Sequence, residues 1–321
     1  MRVAVLSGGR SSEHEVSLRS GEAVARGLEG AGHEALPVTI SREGAWSCGD
    51  SPVALTPGEG LLGAEVAFPA LHGPFGEDGS VQGLLEWLEL PYVGSDVLSS
   101  AICMDKLTLK RLFAQAGIPQ VAFVSAGEPG WRERCESMGT PLWVKPSRLG
   151  SSVGISRVDD LMELEGAVEQ ARRHDPRVIV EAHAHGREIE CSLLGNEAVK
   201  ASLPGEVVAH GNWYDYETKY RDGGMELVVP APIEEAATAR VRDLAVRCFE
   251  LAGCAGLARC DFFLAAHDAV LVNEINTMPG FTQTSVYAKL WEASGVAYPE
   301  LCDRLVELAL ERHAKARSYE F

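Results

Sequence analysis

Long apolar runs are missing from these 321 residues; no stretch approaches the ~18 consecutive apolar positions that a bilayer-spanning helix needs. Met1-Arg2-Val3-Ala4-Val5-Leu6 runs straight into Ser7-Gly8-Gly9, too short for the core of a secretion signal, and reads as a buried first strand. Cations are scarce: 29 Lys plus Arg stand against 46 Asp plus Glu, a formal charge of −17. So acidic a surface repels phosphate backbones and anionic lipid heads, which argues against a nucleic-acid or membrane partner. Paired thiols are missing too. The eight cysteines include no C-x-x-C, and the even spacing of Cys248, Cys254 and Cys260 has no histidine at a zinc-like distance. Scattered thiols of this kind read as small apolar residues in a reducing cytoplasm. Hydrophobic residues at 46% and charged residues at 23% are ordinary for globular chains, which excludes disorder, collagen and coiled coil. At ~150 residues per domain, the length predicts about two domains.

What is present begins with a repeated plan. Residues 3–6 form an apolar run, followed by a glycine loop and a helix around 18–28 that Gly30-Ala31-Gly32 closes. Residues 66–71 repeat the strand and His72-Gly73-Pro74-Phe75-Gly76-Glu77-Asp78-Gly79 the loop. Val81, Leu84, Leu85 and Leu88 repeat the helix, at i, i+3, i+4 and i+7. Strand, loop and helix, twice, predict a parallel sheet carrying helices and ending near residue 100. Residues 43–63, rich in Gly, Pro and Ser, read as irregular, and residues 99–116 as one helix stopped by Gly117 and Pro119. Strands are expected at 141–146, 155–158, 178–181 and 189–194, with helices at 161–173 and 233–251. Strands at 257–264 and 270–276, a loop, and a helix at 298–312 complete the reading. The class is α/β, in three modules: 1–104, 105–186 and 187–321.

Side chains alternate faces along a strand, so Arg259 and Asp261 share one face, as do Glu274 and Asn276. With a turn centred on His267-Asp268, Asp261 falls directly opposite Glu274. Facing carboxylates repel unless a cation or proton lies between them. With the Asn276 carbonyl they make an all-oxygen ligand set for Mg²⁺, phosphate oxygens filling the other positions. The alternative, an exposed acidic hairpin face, explains poorly why these residues sit among Val, Ile and Phe.

Lys145 ends a strand of Leu, Trp and Val just before Gly150-Ser151-Ser152-Val153-Gly154. Backbone N–H groups in such a loop can converge on phosphate while a fixed ammonium neutralises it. A plain glycine turn beside a lysine stretched toward solvent reads the same way. The loop is not a Walker A pattern, and Gly8-Gly9-Arg10-Ser11-Ser12-Glu13 is not G-x-G-x-x-G. Trp213-Tyr214-Asp215-Tyr216-Glu217-Thr218-Lys219-Tyr220 is either a lid, with Lys219 reaching a phosphate, or a surface strand with aromatic packing. His72 reads first as a structural histidine. Glu13 is either a first-turn helix residue favoured by the macrodipole or a substrate ligand.

Eight segments in order resemble the D-alanine-D-alanine ligases of the ATP-grasp family over nearly the whole chain. They are Gly8-Gly9-Arg10-Ser11-Ser12-Glu13-His14-Glu15-Val16-Ser17, the His72 and Gly150 loops, Met104-Asp105-Lys106, Val144-Lys145-Pro146, the segment from Tyr214 to Tyr220, Arg259-Cys260-Asp261, and Asn273-Glu274-Ile275-Asn276-Thr277-Met278-Pro279-Gly280. The resemblance implies a Rossmann-like parallel-sheet domain followed by a two-part ATP-grasp α+β fold with a lid at about 205–224. ATP, as co-substrate, would meet Lys106, Lys145, Ser151 and Ser152 through its phosphates. Glu181 and Ala184 would flank its adenine, Glu188 its ribose, and Asn273 would lie beside it. Asp261, Glu274 and Asn276 would hold two Mg²⁺ ions, with Mn²⁺ as a substitute.

By the same resemblance Glu13 pairs with the ammonium of a first D-alanine and is linked to Ser151 and Tyr220, with His72 in the substrate site. Lys219 meets the γ-phosphate, Arg259 and the Gly280 N–H an oxyanion, and Ser285 the carboxylate of a second D-alanine. The implied chemistry is dipeptide formation through an acyl phosphate for peptidoglycan, by a cytoplasmic homodimer. Rival readings are a D-alanine-D-lactate ligase and a catalytically silent nucleotide-binding module. Tyr220 after Lys219 favours the dipeptide, and the presence of Lys145, Arg259, Asp261, Glu274 and Asn276 speaks against silence. Two departures stand out: Leu149 where the family often has Glu, and a hinge, Glu181-Ala182-His183-Ala184, without bulky apolar residues.

Overall fold

The computed structural model describes residues 1–209 and 225–319. β1 (Arg2–Gly8) leads through α1 (His14–Gly30) to β2 (Glu34–Ile40), the short β3 (Trp46–Cys48) and β4 (Ser51–Pro52), and then β5 (Val66–Pro69). The sheet order is β4-β3-β2-β1-β5. β2, β1 and β5 run parallel, as the repeated plan predicts. β3 and β4 add antiparallel pairs at one edge, within the stretch expected to be irregular.

α2 (Ser80–Trp87) is followed by α3 (Val97–Met104) and α4 (Lys106–Gln115), where the sequence predicts one helix. The break falls at Asp105, whose backbone is extended and whose Oδ1 caps α4 by accepting from the Thr108 N–H at 3.0 Å. Ser147 donates to the same oxygen at 2.9 Å, and Arg177 pairs with the other. The helix stops where it is tied to the next sheet.

That second sheet contains β6 (Phe123–Ser125), β7 (Leu142–Pro146), β8 (Ser156–Val158) and β9 (Val178–Ala182), in the antiparallel order β6-β9-β7-β8. α5 (Trp131–Met138) and α6 (Leu164–Arg172) cover it, burying Trp131, Cys135, Leu164 and Val168 against Leu142, Val144 and Val180. α5 escapes the sequence reading because its run of Arg and Glu around Trp131 and Cys135 leaves almost no apolar periodicity.

The third sheet comprises β10 (Gly186–Gly195), β11 (Lys200–Ala201), β12 (Gly205–Ala209), β13 (Met225–Val228), β14 (Gly256–Ala265) and β15 (Val270–Asn276). Among the described residues its order is β13-β12-β10-β14-β15, with β11 on β10. One face is sealed by α7 (Glu235–Leu251): Val241, Ala245 and Cys248 pack on Ile189, Cys191, Cys260 and Phe262. The other face carries the charged residues and lines a cleft.

The expected loop after β15 contains α8 (Val286–Ala293), and α9 (Tyr298–Ala316) follows. α9 crosses to the first sheet, where Leu301, Cys302, Leu305 and Val306 share one core with Val3, Val24, Leu28 and Phe68. Gly27 permits the approach, since a Cβ there would lie 2.6 Å from Cys302 Sγ. Every cysteine except Cys48 is buried. Among the described residues no helix is long and apolar enough to cross a membrane.

Candidate active site

One cleft of about 1060 Å³ brings together all the sequence-predicted site residues that lie within the described part of the chain. Lys219 and Tyr220 fall outside the described residues.

On the cleft face Glu190 of β10 stands opposite Asp261 of β14, which stands opposite Glu274 of β15. The next rung is Ser192, Arg259 and Asn276. Arg259 answers the acids: its Nε and Nη2 each lie 2.7 Å from an Asp261 oxygen, and Nε lies 2.8 Å from Glu190 Oε2. Asn276 Nδ2 donates to Asp261 Oδ2 at 3.1 Å, and Lys106 Nζ lies 3.7 Å from Glu274. Among these side chains three carboxylates face two cations, and the donors are oxygens. That is the chemistry a hard divalent cation requires, so the residues fit one.

The facing of Asp261 and Glu274 agrees with the strand alternation, but the hairpin beyond it does not. Past Asp261 the register shifts, Phe262 opposes Val272, and Asn273 is left as an extra residue. In an unbroken strand Val270 and Val272 would share the face of Glu274. The bulge turns the chain so that Val270, Val272 and Ile275 all enter the core beneath α7, while Glu274 and Asn276 line the cleft.

Two lysines approach from the second sheet and α4. Lys106 Nζ donates to the Leu149 carbonyl at 2.7 Å, so Leu149 ties the start of the Gly150 loop to α4 through its backbone. Lys145 Nζ lies 2.6 Å from Glu181 Oε2, and Lys110, a residue the sequence reading misses, lies 2.8 Å from Oε1. The available signal was position: Lys110 sits one turn after Lys106 on a helix whose buried face includes Leu107 and Phe113. Burial opposes ionisation of Glu181, but Lys110 and Lys145 outweigh it and hold the carboxyl at about 2. Burial likewise pulls Lys145 down, and Glu181, Glu274 and Glu188 raise it above its ordinary value.

With the Glu181 carboxylate spent on lysines, a base at this hinge would meet backbone and the side chains of Ala182, His183 and Ala184. Trp143 Nε1 donates to His183 Nδ1 at 3.1 Å, which leaves the proton of the neutral ring on Nε2. His185 stacks edge-on against His183 with ring centroids 4.4 Å apart. Aromatic rings thus fill a hinge that has no bulky aliphatic residue.

At the opposite end Glu13 takes the N-cap position of α1 without capping it. Its Oε1 instead accepts a hydrogen bond from Ser151 Oγ in the Gly150 loop. Gly73 makes room, since a Cβ there would lie 2.7 Å from Glu13 Oε2. The helix-dipole reading of Glu13 is therefore incomplete; its carboxylate is held in the cleft by tertiary contacts.

His72 is hydrogen-bonded through both ring nitrogens, in keeping with its reading as a structural histidine. Its Nδ1–H donates to the Met278 carbonyl at 3.0 Å, and its Nε2 accepts from Ser20 Oγ at 2.8 Å. Burial lowers its pKa against the pull of Glu13, so the ring is neutral. Both nitrogens are committed, and His72 fixes the turn before Gly280 at the wall of the cleft. Glu77, also missed from sequence, spans the same gap: it accepts from the Gly73 N–H at 2.6 Å and the Met278 N–H at 3.3 Å. Burial, with the neighbouring Glu13 charge, raises its carboxyl to about 8.

Ser285 is the N-cap residue of α8, and its Oγ accepts from the Thr282 N–H at 3.0 Å. It borders the cleft beside Gly280, so the first N–H groups of α8 favour an anion there. The sequence reading names Ser285 but lacks the helix that gives it a reason.

Residues 2–60 and 50–95 match the family model described as D-ala D-ala ligase N-terminus, and residues 112–307 match D-ala D-ala ligase C-terminus. The chain belongs to the D-ala D-ala ligase family. It is 45% identical over 324 residues to the D-alanine--D-alanine ligase of Solibacter usitatus, covering 100% of this chain and 99% of that one. The corresponding enzyme of Geobacillus kaustophilus is 40% identical over 357 residues, with coverage of 100% and 97%. The solved D-alanine-D-alanine ligase from Coxiella burnetii superposes with a TM-score of 0.88 at 37% identity, covering 99% of this chain and 96% of that one. VanG D-Ala:D-Ser ligase from Enterococcus faecalis also reaches 0.88, at 33% identity and coverage of 96% and 99%. Family membership makes the chain a ligase, and the α/β ATP-grasp architecture expected from its sequence is the one it has.

Proposed function

We propose that this ligase joins two D-alanine molecules into D-alanyl-D-alanine with ATP as co-substrate, through a D-alanyl phosphate, releasing ADP and phosphate. The observation that carries the reading is the meeting of the acid row, Lys106 and Lys145, and the Glu13–Ser151 pair in one cleft. Modules 1–104, 105–186 and 187–321 contribute the first-substrate wall, the phosphate loop, and the acid row with a lid at about 205–224.

A carboxylate that attacks a phosphoryl group brings anion to anion, so Lys106 and Lys145 take the phosphates and cancel charge. Mg²⁺ at Asp261, Glu274 and Asn276, replaceable by Mn²⁺, supplies further charge neutralisation when bound. Ser151 and Ser152 turn their loop toward the phosphates; Glu181 and Ala184 present backbone to the base, Glu188 faces the ribose, and Asn273 lies beside it. Glu13 binds the ammonium of the first D-alanine, whose carboxylate attacks the γ-phosphorus. The amine of the second then attacks the acyl carbonyl, and phosphate leaves. Arg259 and the Gly280 N–H hold the oxyanion, and Ser285 with the α8 N-terminus holds the second carboxylate.

Lys219 and Tyr220 act from the lid, Lys219 on the γ-phosphate and Tyr220 toward Ser151 and Glu13. Closure keeps water from the acyl phosphate. The reaction belongs to a cytoplasmic homodimer that supplies peptidoglycan synthesis. The test is phosphate release with Mg-ATP plus D-alanine, L-alanine, D-serine or D-lactate, with product mass measured. Release with D-alanine alone and a dialanine mass are expected. A mixed product as the main species moves the enzyme to another second substrate, and nucleotide binding without turnover to the silent module.

A further inference from the structure

Glu181 is buried between two ammonium groups that differ in one respect. Lys145 borders the cleft with its side chain 15% exposed, while Lys110 lies behind it at 3% and does not line the cleft. Each lysine takes one oxygen of the carboxylate, at 2.6 Å and 2.8 Å. Lys110 also sits 5.8 Å from the centroid of the Phe123 ring. One buried anion is therefore shared between a cation that can reach a ligand and a cation that cannot.

We propose that Lys110 is a positioning residue for nucleotide binding: it keeps Glu181 neutralised when Lys145 turns from that carboxylate to a polyphosphate in the cleft. The inference rests on the reading that Lys145 meets nucleotide phosphates. A buried carboxylate stripped of its counter-ion is strongly destabilising. With Lys110 in place, the departure of Lys145 leaves a neutral buried pair. Without it, Lys145 is the sole counter-ion of Glu181, and each phosphate contact must be made against the penalty of stranding that anion. Lys106, one turn earlier on α4, has no such restraint, because its nearest partner is the Leu149 carbonyl and Glu274 lies 3.7 Å away.

A merely structural pin between α4 and β9 predicts something different, and removing the charge of Glu181 separates the two. The experiment is calorimetric titration of the full chain with Mg-ADP for wild type, Lys110→Met, Glu181→Gln and the double variant. Lys110→Met should weaken Mg-ADP about 30-fold and leave the KM for D-alanine unchanged. The double variant should bind within about threefold of Glu181→Gln, because no anion is left to strand. Wild-type affinity in Lys110→Met, or a double variant tenfold or more weaker than Glu181→Gln, overturns the inference. The comparison of the double variant with Glu181→Gln stands even if Lys110→Met does not fold. A wild-type chain that fails to bind Mg-ADP overturns the nucleotide reading itself, and this inference with it.

Discussion

Asp261 and Glu274 face each other across β14 and β15, immediately beside the bulge of β15 at Asn273. The pairing brings two carboxylates to one level, and the bulge lets the valines beyond them stay in the core. Asp261→Asn and Glu274→Gln keep the shape of each side chain and remove its charge. Either change should lower kcat by about 10³-fold, the several kcal/mol that a bound divalent cation supplies. Phosphate release within tenfold of wild type would remove the metal assignment.

Deleting Asn273 would remove the extra residue and leave Val272 next to Glu274, on opposite faces of a regular strand, so Val270 and Val272 keep the core while Glu274 and Asn276 keep the cleft. The expected change in stability is about 1 kcal/mol or less. Urea unfolding reads it directly, and a loss of about 3 kcal/mol or more would show that the bulge itself holds the hairpin.

The hairpin is legible in the sequence because the alternation of Arg259 with Asp261, and of Glu274 with Asn276, depends on nothing outside the strands. The bulge between them is not, since the face taken by Val272 is decided by α7 packing against it. The single helix expected over 99–116 fails for a similar reason: its composition is helical throughout, and only Ser147 and Arg177 reveal why Asp105 stays extended. The link of Glu13 to Ser151 comes from the family resemblance, whereas the partner of His72, the Met278 carbonyl, lies far along the chain and only the fold supplies it. Lys110 gave no chemical signal at all; a lysine on a helix is ordinary until its burial is known. Tyr220 is read from the family resemblance alone, whereas Lys219 is also read from the polar aromatic stretch around it.

Glu77 predicts a pH dependence of stability. Its folded pKa of about 8 lies above its ordinary value of 4.5, so the unfolded chain gives up this proton first. The contribution is full below pH 4.5, declines as pH rises, and is lost as pH passes 8. Glu77→Gln cannot ionise and should flatten the stability curve across that window relative to wild type. Unfolding midpoints that run parallel from acid to mildly basic pH would refute the shift.

Phe281 ties the turn beside Gly280 to the core below it. It is fully buried, with the rings of Phe68, Tyr287 and Tyr298 at centroid distances of 5.3, 5.4 and 5.6 Å. Phe281→Ala should cost about 3–5 kcal/mol, the usual range for emptying an aromatic site in a packed core. Differential scanning calorimetry measures the loss, and a midpoint unchanged within error would mean that the cavity collapses without penalty.

The crossing of α9 to the first sheet has a consequence for how the molecule is made. A ribosome delivers the chain in the order of its numbering, so Val3, Val24, Leu28 and Phe68 emerge long before Leu301, Cys302 and Leu305 exist to cover them. The earliest strand cannot be sealed vectorially; its closure awaits a contact between segments almost the full chain apart, which slows assembly. During that interval the nascent sheet carries an oily face, the kind of surface that chaperones shield and aggregates recruit.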